Sequence, residues 1–145
     1  MEEIKIEQMI TIEKKYHFYA GHRNKNADDK CGRLHGHTYY VICTFVGNDK
    51  NEKSGITLLF GDIDKLVEPI IKSFDHYFLL YDQDPLCDLL KLANEPFIPL
   101  PFETSAENMA IWIFTRIENE TKLPIKKIEL RETTSSKVVY EKFKS

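Results

Sequence analysis

The chain has 145 residues with 42 % hydrophobic and 30 % charged side chains, ordinary usage for a globular domain and enough to bury a core without staples. The formal net charge of −3 lacks the basic footprint of a nucleic-acid binder. Collagen, bulk disorder and a disulfide scaffold are excluded on composition, and one domain over 1–145 is expected. No stretch of about 18 apolar residues offers a membrane span. The charged start MEEIKIEQMITIEKKYHF lacks the apolar region of a secretory signal. Three cysteines, Cys31, Cys43 and Cys87, are an odd number at irregular spacing. Free thiols in a reducing, cytoplasmic setting are the simpler expectation.

In chain order, residues 9–22 alternate. Ile10, Ile12, Tyr16, Phe18, Ala20 and His22 share a parity, with Lys14 the exception, which predicts a strand. Residues 23–33, RNKNADDKCGR, are a polar loop, and Arg23 and Lys25 read as part of its solvated surface. Residues 34–47 are β-branched and aromatic. Tyr39, Val41, Cys43 and Phe45 line one face and Tyr40, Ile42 and Val46 the other, which predicts a strand covered on both sides. Residues 48–54 make a solvated turn.

Ile63, Leu66, Val67, Ile70, Ile71 and Phe74 recur at helical spacing and predict a helix over 62–74, with Pro69 kinking it or shifting its start. Residues 81–103 hold four prolines and no sustained period, and read as an inserted loop. Thr104 or Ser105 then caps a second helix, and Thr104-x-x-Glu107 fits a capping box. Its apolar face is Ala106, Met109, Ala110, Ile113, Phe114 and Ile117, and Lys122-Leu123-Pro124 ends it. Strands follow over 125–133 and 137–143. The order ββααββ predicts an α+β fold, an antiparallel four-stranded sheet with two helices on one face.

The strongest chemical signal is Cys31-Gly-Arg-Leu-His35-Gly-His37. Two histidines two apart on a strand project from one face. An antiparallel neighbour can bring His22 beside them. Three imidazoles with an open fourth position are the pattern of catalytic zinc, whereas three unconnected strand histidines are the alternative. Cys31 on the adjoining loop is a base or nucleophile, a fourth ligand, or an idle thiol. Cys43 and Cys87 read as small buried hydrophobes. Asp75-His76 is a proton-transfer dyad if a turn pairs the two, or else a helix-terminal histidine favoured by the dipole. Glu132 is in phase with apolar Ile128 and Leu130. It is either a carboxylate presented to a ligand edge with two N–H donors or a strand end reaching solvent. Trp112, Tyr39 and Tyr40 read as packing, His17 as an exposed strand residue and Glu107 as the capping-box carboxylate.

Taken together, Phe18-x-Ala20-x-His22, Cys31-x-x-x-His35-Gly-His37-x-Tyr39, Asp75-His76, Ser105-x-Glu107-Asn108-x-Ala110 and Arg131-Glu132-Thr133 stand in order over residues 18–140. This set resembles the 6-pyruvoyltetrahydropterin synthase / 6-carboxytetrahydropterin synthase family. The resemblance implies a tunnelling fold (T-fold), ββααββ, whose sheets close into a barrel in a homo-oligomer, a trimer or a dimer of trimers. It implies zinc on His22, His35 and His37. Cys31 becomes the catalytic thiolate, with Asp75 and His76 its partner dyad from a neighbouring subunit. Glu132 holds the pterin edge, and Ser105 and Glu107 line the pocket.

The implied activity is that of a lyase. It converts 7,8-dihydroneopterin triphosphate to 6-carboxy-5,6,7,8-tetrahydropterin with loss of triphosphate and acetaldehyde, towards queuosine. The three-residue gap from Cys31 to His35 resembles this carboxy branch. The alternatives are the pyruvoyl branch, towards biopterin, a non-catalytic zinc and pterin module, or a structural zinc protein with Cys31 as fourth ligand. The chain departs from the family pattern at Leu59-Phe60, Leu79-Leu80 and Thr104-Ser105, and in the length of 81–103.

Overall fold

In the computed structural model, Glu3 and residues 8–143 are described. Two long strands, β1 (Ile10–His22) and β2 (His35–Gly47), pair antiparallel along their whole length, with Ile10 opposite Gly47 and His22 opposite His35. Helix α1 (Phe60–Lys72) leads to β3 (Tyr77–Tyr81), α2 (Leu86–Leu92) and β4 (Phe97–Leu100). The long helix α3 (Ala106–Thr121) returns the chain to β5 (Ile125–Arg131) and β6 (Val138–Glu141).

The six strands lie in the order β4-β3-β1-β2-β5-β6. The expected antiparallel four are the run β1-β2-β5-β6. The two further strands pair parallel, β3 on β1 and β4 on β3, so the sheet is mixed. The segment expected to be a loop is therefore a βαβ unit, inserted between the two expected helices. Its strands are four or five residues long and its helix seven, too short to show a period amid four prolines.

Alternation in β1 sends Tyr16, Phe18, Ala20 and His22 to the buried face. Tyr39, Val41, Cys43 and Phe45 of β2 join them, with Ile128 and Leu130 of β5. Helices α1 and α3 close this face through Ile63, Val67, Ile70, Met109, Ile113 and Phe114. Phe18 stacks on Tyr39 at 4.7 Å between ring centroids and meets Phe74 edge-on at 4.8 Å. Such aromatic pairs add about 1 kcal/mol each beyond the area they bury. On the other face of β2, Tyr40 is exposed and Ile42 and Val46 are half-buried. Cover on both sides is thus not provided within one chain.

Two local expectations change. The helix expected over 62–74 begins two residues earlier, at Phe60, and Pro69 is accommodated within it. The cap of α3 is Ser105, whose hydroxyl accepts the Asn108 N–H at 3.2 Å. Thr104 is fully buried with its hydroxyl turned elsewhere, which leaves Ser105 as the residue free to cap.

Gly21 faces Gly36 across the β1–β2 ladder. A Cβ on Gly21 would lie 2.5 Å from the Phe78 ring, so β3 can cross here only over a bare backbone.

Candidate metal centre

The register of β1 and β2 makes the centre. His22 is opposite His35, and His37 is two residues along the same face as His35. One ligand atom from each of the three lies within 4.8 Å of the others. Ring centroids are separated by 4.6 Å for His22 and His35, 4.7 Å for His35 and His37, and 5.1 Å for His22 and His37.

The ring orientations are fixed from outside. His22 Nδ1 lies 2.9 Å from the Thr104 carbonyl oxygen, and His35 Nδ1 lies 2.6 Å from the Arg33 carbonyl. A carbonyl only accepts, so both Nδ1 atoms carry the proton and both Nε2 atoms present lone pairs. His22 Nε2 and His37 Nε2 are buried and without a hydrogen-bond partner. Buried nitrogens left so are costly unless a ligand satisfies them. The donor set fits a divalent transition metal with imidazole preference, with the His22 and His35 rings oriented from behind. Burial and the neighbouring His35 pull the His22 pKa down to about 4, which keeps the lone pair available at neutral pH. His37 is lowered for the same two reasons.

Glu132 stands over the centre, just past the end of β5. Its two carboxylate oxygens are each 3.9 Å from an imidazole, Oε1 from His22 Nε2 and Oε2 from His37 Nε2. Burial holds its carboxyl above the ordinary range. Oε1 has no hydrogen-bond partner. The Tyr39 hydroxyl is buried and likewise unpartnered, and burial together with Glu132 pushes its pKa up. Tyr39 packs in the core as expected, and its position two residues past His37, in the same phase, also brings it to the centre. Thr104 fits the sequence pattern as a cap, and no local pattern ties it to His22.

Cys31 sits on a single 3₁₀ turn in the loop between β1 and β2, exposed. Asp29 accepts the Cys31 N–H at 2.9 Å, and the same carboxylate keeps the thiol above its usual pKa in the metal-free chain. Asp75 and His76 do form a pair within one chain, His76 Nδ1 lying 2.9 Å from Asp75 Oδ2. The turn that pairs them puts His76 at φ 66°, while its N–H donates to the Tyr19 carbonyl at 2.7 Å and the Tyr19 N–H donates to Asp75 Oδ1. The His76 imidazole is 73 % exposed and lies against the Tyr19 ring, on the face opposite the helices. Ser105 and Glu107 lie at the start of α3. A cavity of about 250 Å³ is lined by Glu107, Glu132, Thr133 and Lys137 among others. Arg23 is not a free loop cation: it forms a bidentate pair with buried Asp84.

Three histidines of one sheet face, a carboxylate above them and a thiol on the connecting loop form a set that could hold a metal ion in an α+β chain of this topology. The chain belongs to the 6-pyruvoyl tetrahydropterin synthase family, whose model matches residues 11–142. It is 33 % identical over 141 residues to the 6-carboxy-5,6,7,8-tetrahydropterin synthase of Haemophilus influenzae, covering 92 % of this chain and 99 % of that one. Among solved structures, an uncharacterized protein from Wolinella succinogenes superposes with a TM-score of 0.76 at 18 % identity, covering 93 % of this chain and 99 % of the other. The 6-pyruvoyl tetrahydropterin synthase of Caenorhabditis elegans gives 0.69 at 21 % identity, covering 94 % and 97 %. These two likenesses establish the fold.

Proposed function

We propose that this chain is a zinc-dependent lyase that converts 7,8-dihydroneopterin triphosphate and one water to 6-carboxy-5,6,7,8-tetrahydropterin, releasing triphosphate and acetaldehyde. The observation that carries it is the convergence of His22, His35 and His37 beneath a half-buried carboxylate, Glu132, with Cys31 on the adjoining loop. The resemblance to the Haemophilus enzyme, over nearly both chains, supports the carboxy branch.

His22, His35 and His37 would hold the metal, whose Lewis acidity acidifies side-chain hydroxyls of the substrate and steadies negative charge on them. Glu132 accepts the two N–H groups of the pterin's amino-pyrimidinone edge. Its partial burial makes an unpaired carboxylate expensive and a doubly donating ligand favourable. Glu107 lines the pocket beside it, and Ser105 caps the helix that carries Glu107. Cys31 takes the carbon-bound proton of the side chain, and His76, held by Asp75, moves a proton at the hydroxyl oxygen. A neighbouring subunit supplies the dyad, in a trimer or dimer of trimers. The exposure of His76 and the open face around Tyr19 and Tyr40 support that assembly. The free cysteines support a reducing, cytoplasmic setting, and the product suits a step towards queuosine.

The test is incubation of the zinc-loaded protein with dihydroneopterin triphosphate and mass analysis of the pterin formed. A 6-carboxy product with acetaldehyde supports the reading. A pyruvoyl product moves the chain to the other branch, and an unchanged substrate leaves a binding module.

A further inference from the structure

The loop from Arg23 to Arg33 bears the thiol, and most of its bonds are to itself. Asn24 N–H donates to the Cys31 carbonyl at 2.8 Å and closes the loop across its neck. Ala27 N–H donates to Asn24 O, Gly32 N–H to Asp29 O and Arg33 N–H to Lys30 O. Asn24 and Asp29 side chains cap the Asn26 and Cys31 N–H groups. A Cβ at Gly32 would lie 2.9 Å from the Ala27 carbonyl oxygen, so the turn is closed against bare backbone. The loop is thus a small rigid body, and its placement depends on what grips it from outside.

Among the described residues, the Thr104 hydroxyl donates to the Arg23 carbonyl at 3.4 Å and His35 Nδ1 lies 2.6 Å from the Arg33 carbonyl, and two further side-chain grips come from the inserted βαβ unit and its flank. At the root, Arg23 pairs with Asp84, whose other bond is to the Leu86 N–H at the start of α2. Further round the loop, Asn26 Nδ2 donates to Glu103 Oε1 at 2.6 Å. Asp84 lies between β3 and α2 and Glu103 lies past the end of β4, and the bond from Asp82 N–H to the Leu100 carbonyl ties these stretches together at 2.7 Å. Glu103 is held in turn by Asn108 Nδ2 on its carbonyl at 2.9 Å.

Glu103 is an expensive residue to keep in this place. Its Oε2 is buried with no hydrogen-bond partner, and burial together with the nearby charge of Asp84 raises its carboxyl pKa. No cation compensates it in an ion pair among the described residues. A carboxylate kept under such terms for one bond to a loop asparagine is out of proportion to the stability that bond confers.

We propose that the βαβ unit of residues 77–100 and its flanks serve as the platform that positions the Cys31 thiol. Glu103, acting through Asn26, is a positioning residue, and Asp84 acts through Arg23 in the same way. This rests on the reading of Cys31 as the group that takes the substrate's proton. Its geometric half, the seating of the loop, is independent of that reading.

Two measurements on the zinc-loaded protein separate them. Trypsin cleavage at Lys25, Lys30 and Arg33 reports how firmly the loop is seated, without reference to turnover. E103A and N26D, the latter setting carboxylate against carboxylate, are expected to speed cleavage in the loop about tenfold through a larger open population. E103Q, whose amide oxygen still accepts, stays near the parent rate. Turnover of dihydroneopterin triphosphate in E103A and N26D is expected to fall about tenfold in kcat with KM and zinc content little changed, since misplacement of a reacting group acts on the chemical step. Cleavage and kcat of E103A matching the parent would overturn the proposal, as would a kcat loss accompanied by loss of zinc. If the parent shows no turnover, the functional reading fails while the cleavage series still decides whether Glu103 seats the loop.

Discussion

His22 Nδ1 lies 2.9 Å from the backbone carbonyl of Thr104, a residue 82 positions further along the chain. The bond joins the end of β1 to the residue before the cap of α3. It turns Nε2 towards His37 and Glu132, and it forces one tautomer. The orientation of the buried histidine is therefore set by the packing of α3.

Replacing His22 by Ala should abolish stoichiometric zinc binding while leaving the chain folded, because the strand position is otherwise filled by apolar neighbours. Metal analysis after dialysis checks this. Chelation of the wild type should lower its Tm, since an ion bound only by the folded state stabilises by mass action, about 4 kcal/mol at a thousandfold excess over Kd. H22A should show no such response to chelator.

Cys31→Ala is expected to lower kcat by about three orders of magnitude, the range for loss of a positioned proton acceptor. Zinc content should be unchanged. A variant that loses metal along with activity would make the thiol a ligand and remove it from the chemistry.

The metal-free protein should lose stability as pH falls from about 6.5 to about 4. His22 has an ordinary value of 6.5 and a folded value of about 4, so across that window the unfolded chain binds the extra proton. The full shift corresponds to about 3 kcal/mol at 1.36 kcal/mol per unit. Glu132 works in the opposite sense: its carboxyl is raised on folding, so it binds a proton more readily in the folded chain and offsets part of the loss. Urea unfolding of the apoprotein at a series of pH values measures the slope. Stability that is flat, or that rises on acidification through this range, contradicts the assignment.

Glu132→Gln should weaken the pterin more than the metal. The amide presents one acceptor where the carboxylate has two, and one charge-assisted bond is lost. A fall of about 30-fold in kcat/KM is expected from a loss of about 2 kcal/mol. Zinc content measured in parallel should stay stoichiometric.

Asp84→Ala should be the most destabilising of these changes. It leaves the Arg23 guanidinium, largely withdrawn from water, without its bidentate partner. Breaking such a pair by removing one member costs about 3 kcal/mol. Thermal unfolding of the D84A protein, zinc-loaded and zinc-free, checks it.

Much of the fold could be read from periodicity. The parity of Tyr16, Phe18, Ala20 and His22, and the helical spacing of Ile63, Val67, Ile70 and Ile71, appear in the structure as the buried faces of β1 and α1, while Leu66, expected on the same helix face, is exposed. The strand from Tyr77 and the helix at Leu86 were not legible. Their pairing is parallel and with distant partners, so neither alternation nor a turn signal marks them. At the centre, the spacing His35-x-His37 already placed two imidazoles on one face, and the antiparallel register brings in the third. What stayed hidden was held by long-range contact. Thr104 behind His22 leaves no trace in neighbouring residues, and neither does Asp84 against Arg23 or Glu103 against Asn26.

The crossing at Gly21 lies two residues from the place where the Tyr19 N–H donates to Asp75 Oδ1. Phe78 lies against the naked backbone beside His22, and His76 is only two residues before it on the same run of chain. Any side chain at 21, even a methyl group, would have to displace the Phe78 ring. The close passage of the third strand beside the imidazole cluster is in this sense permitted by one missing carbon atom.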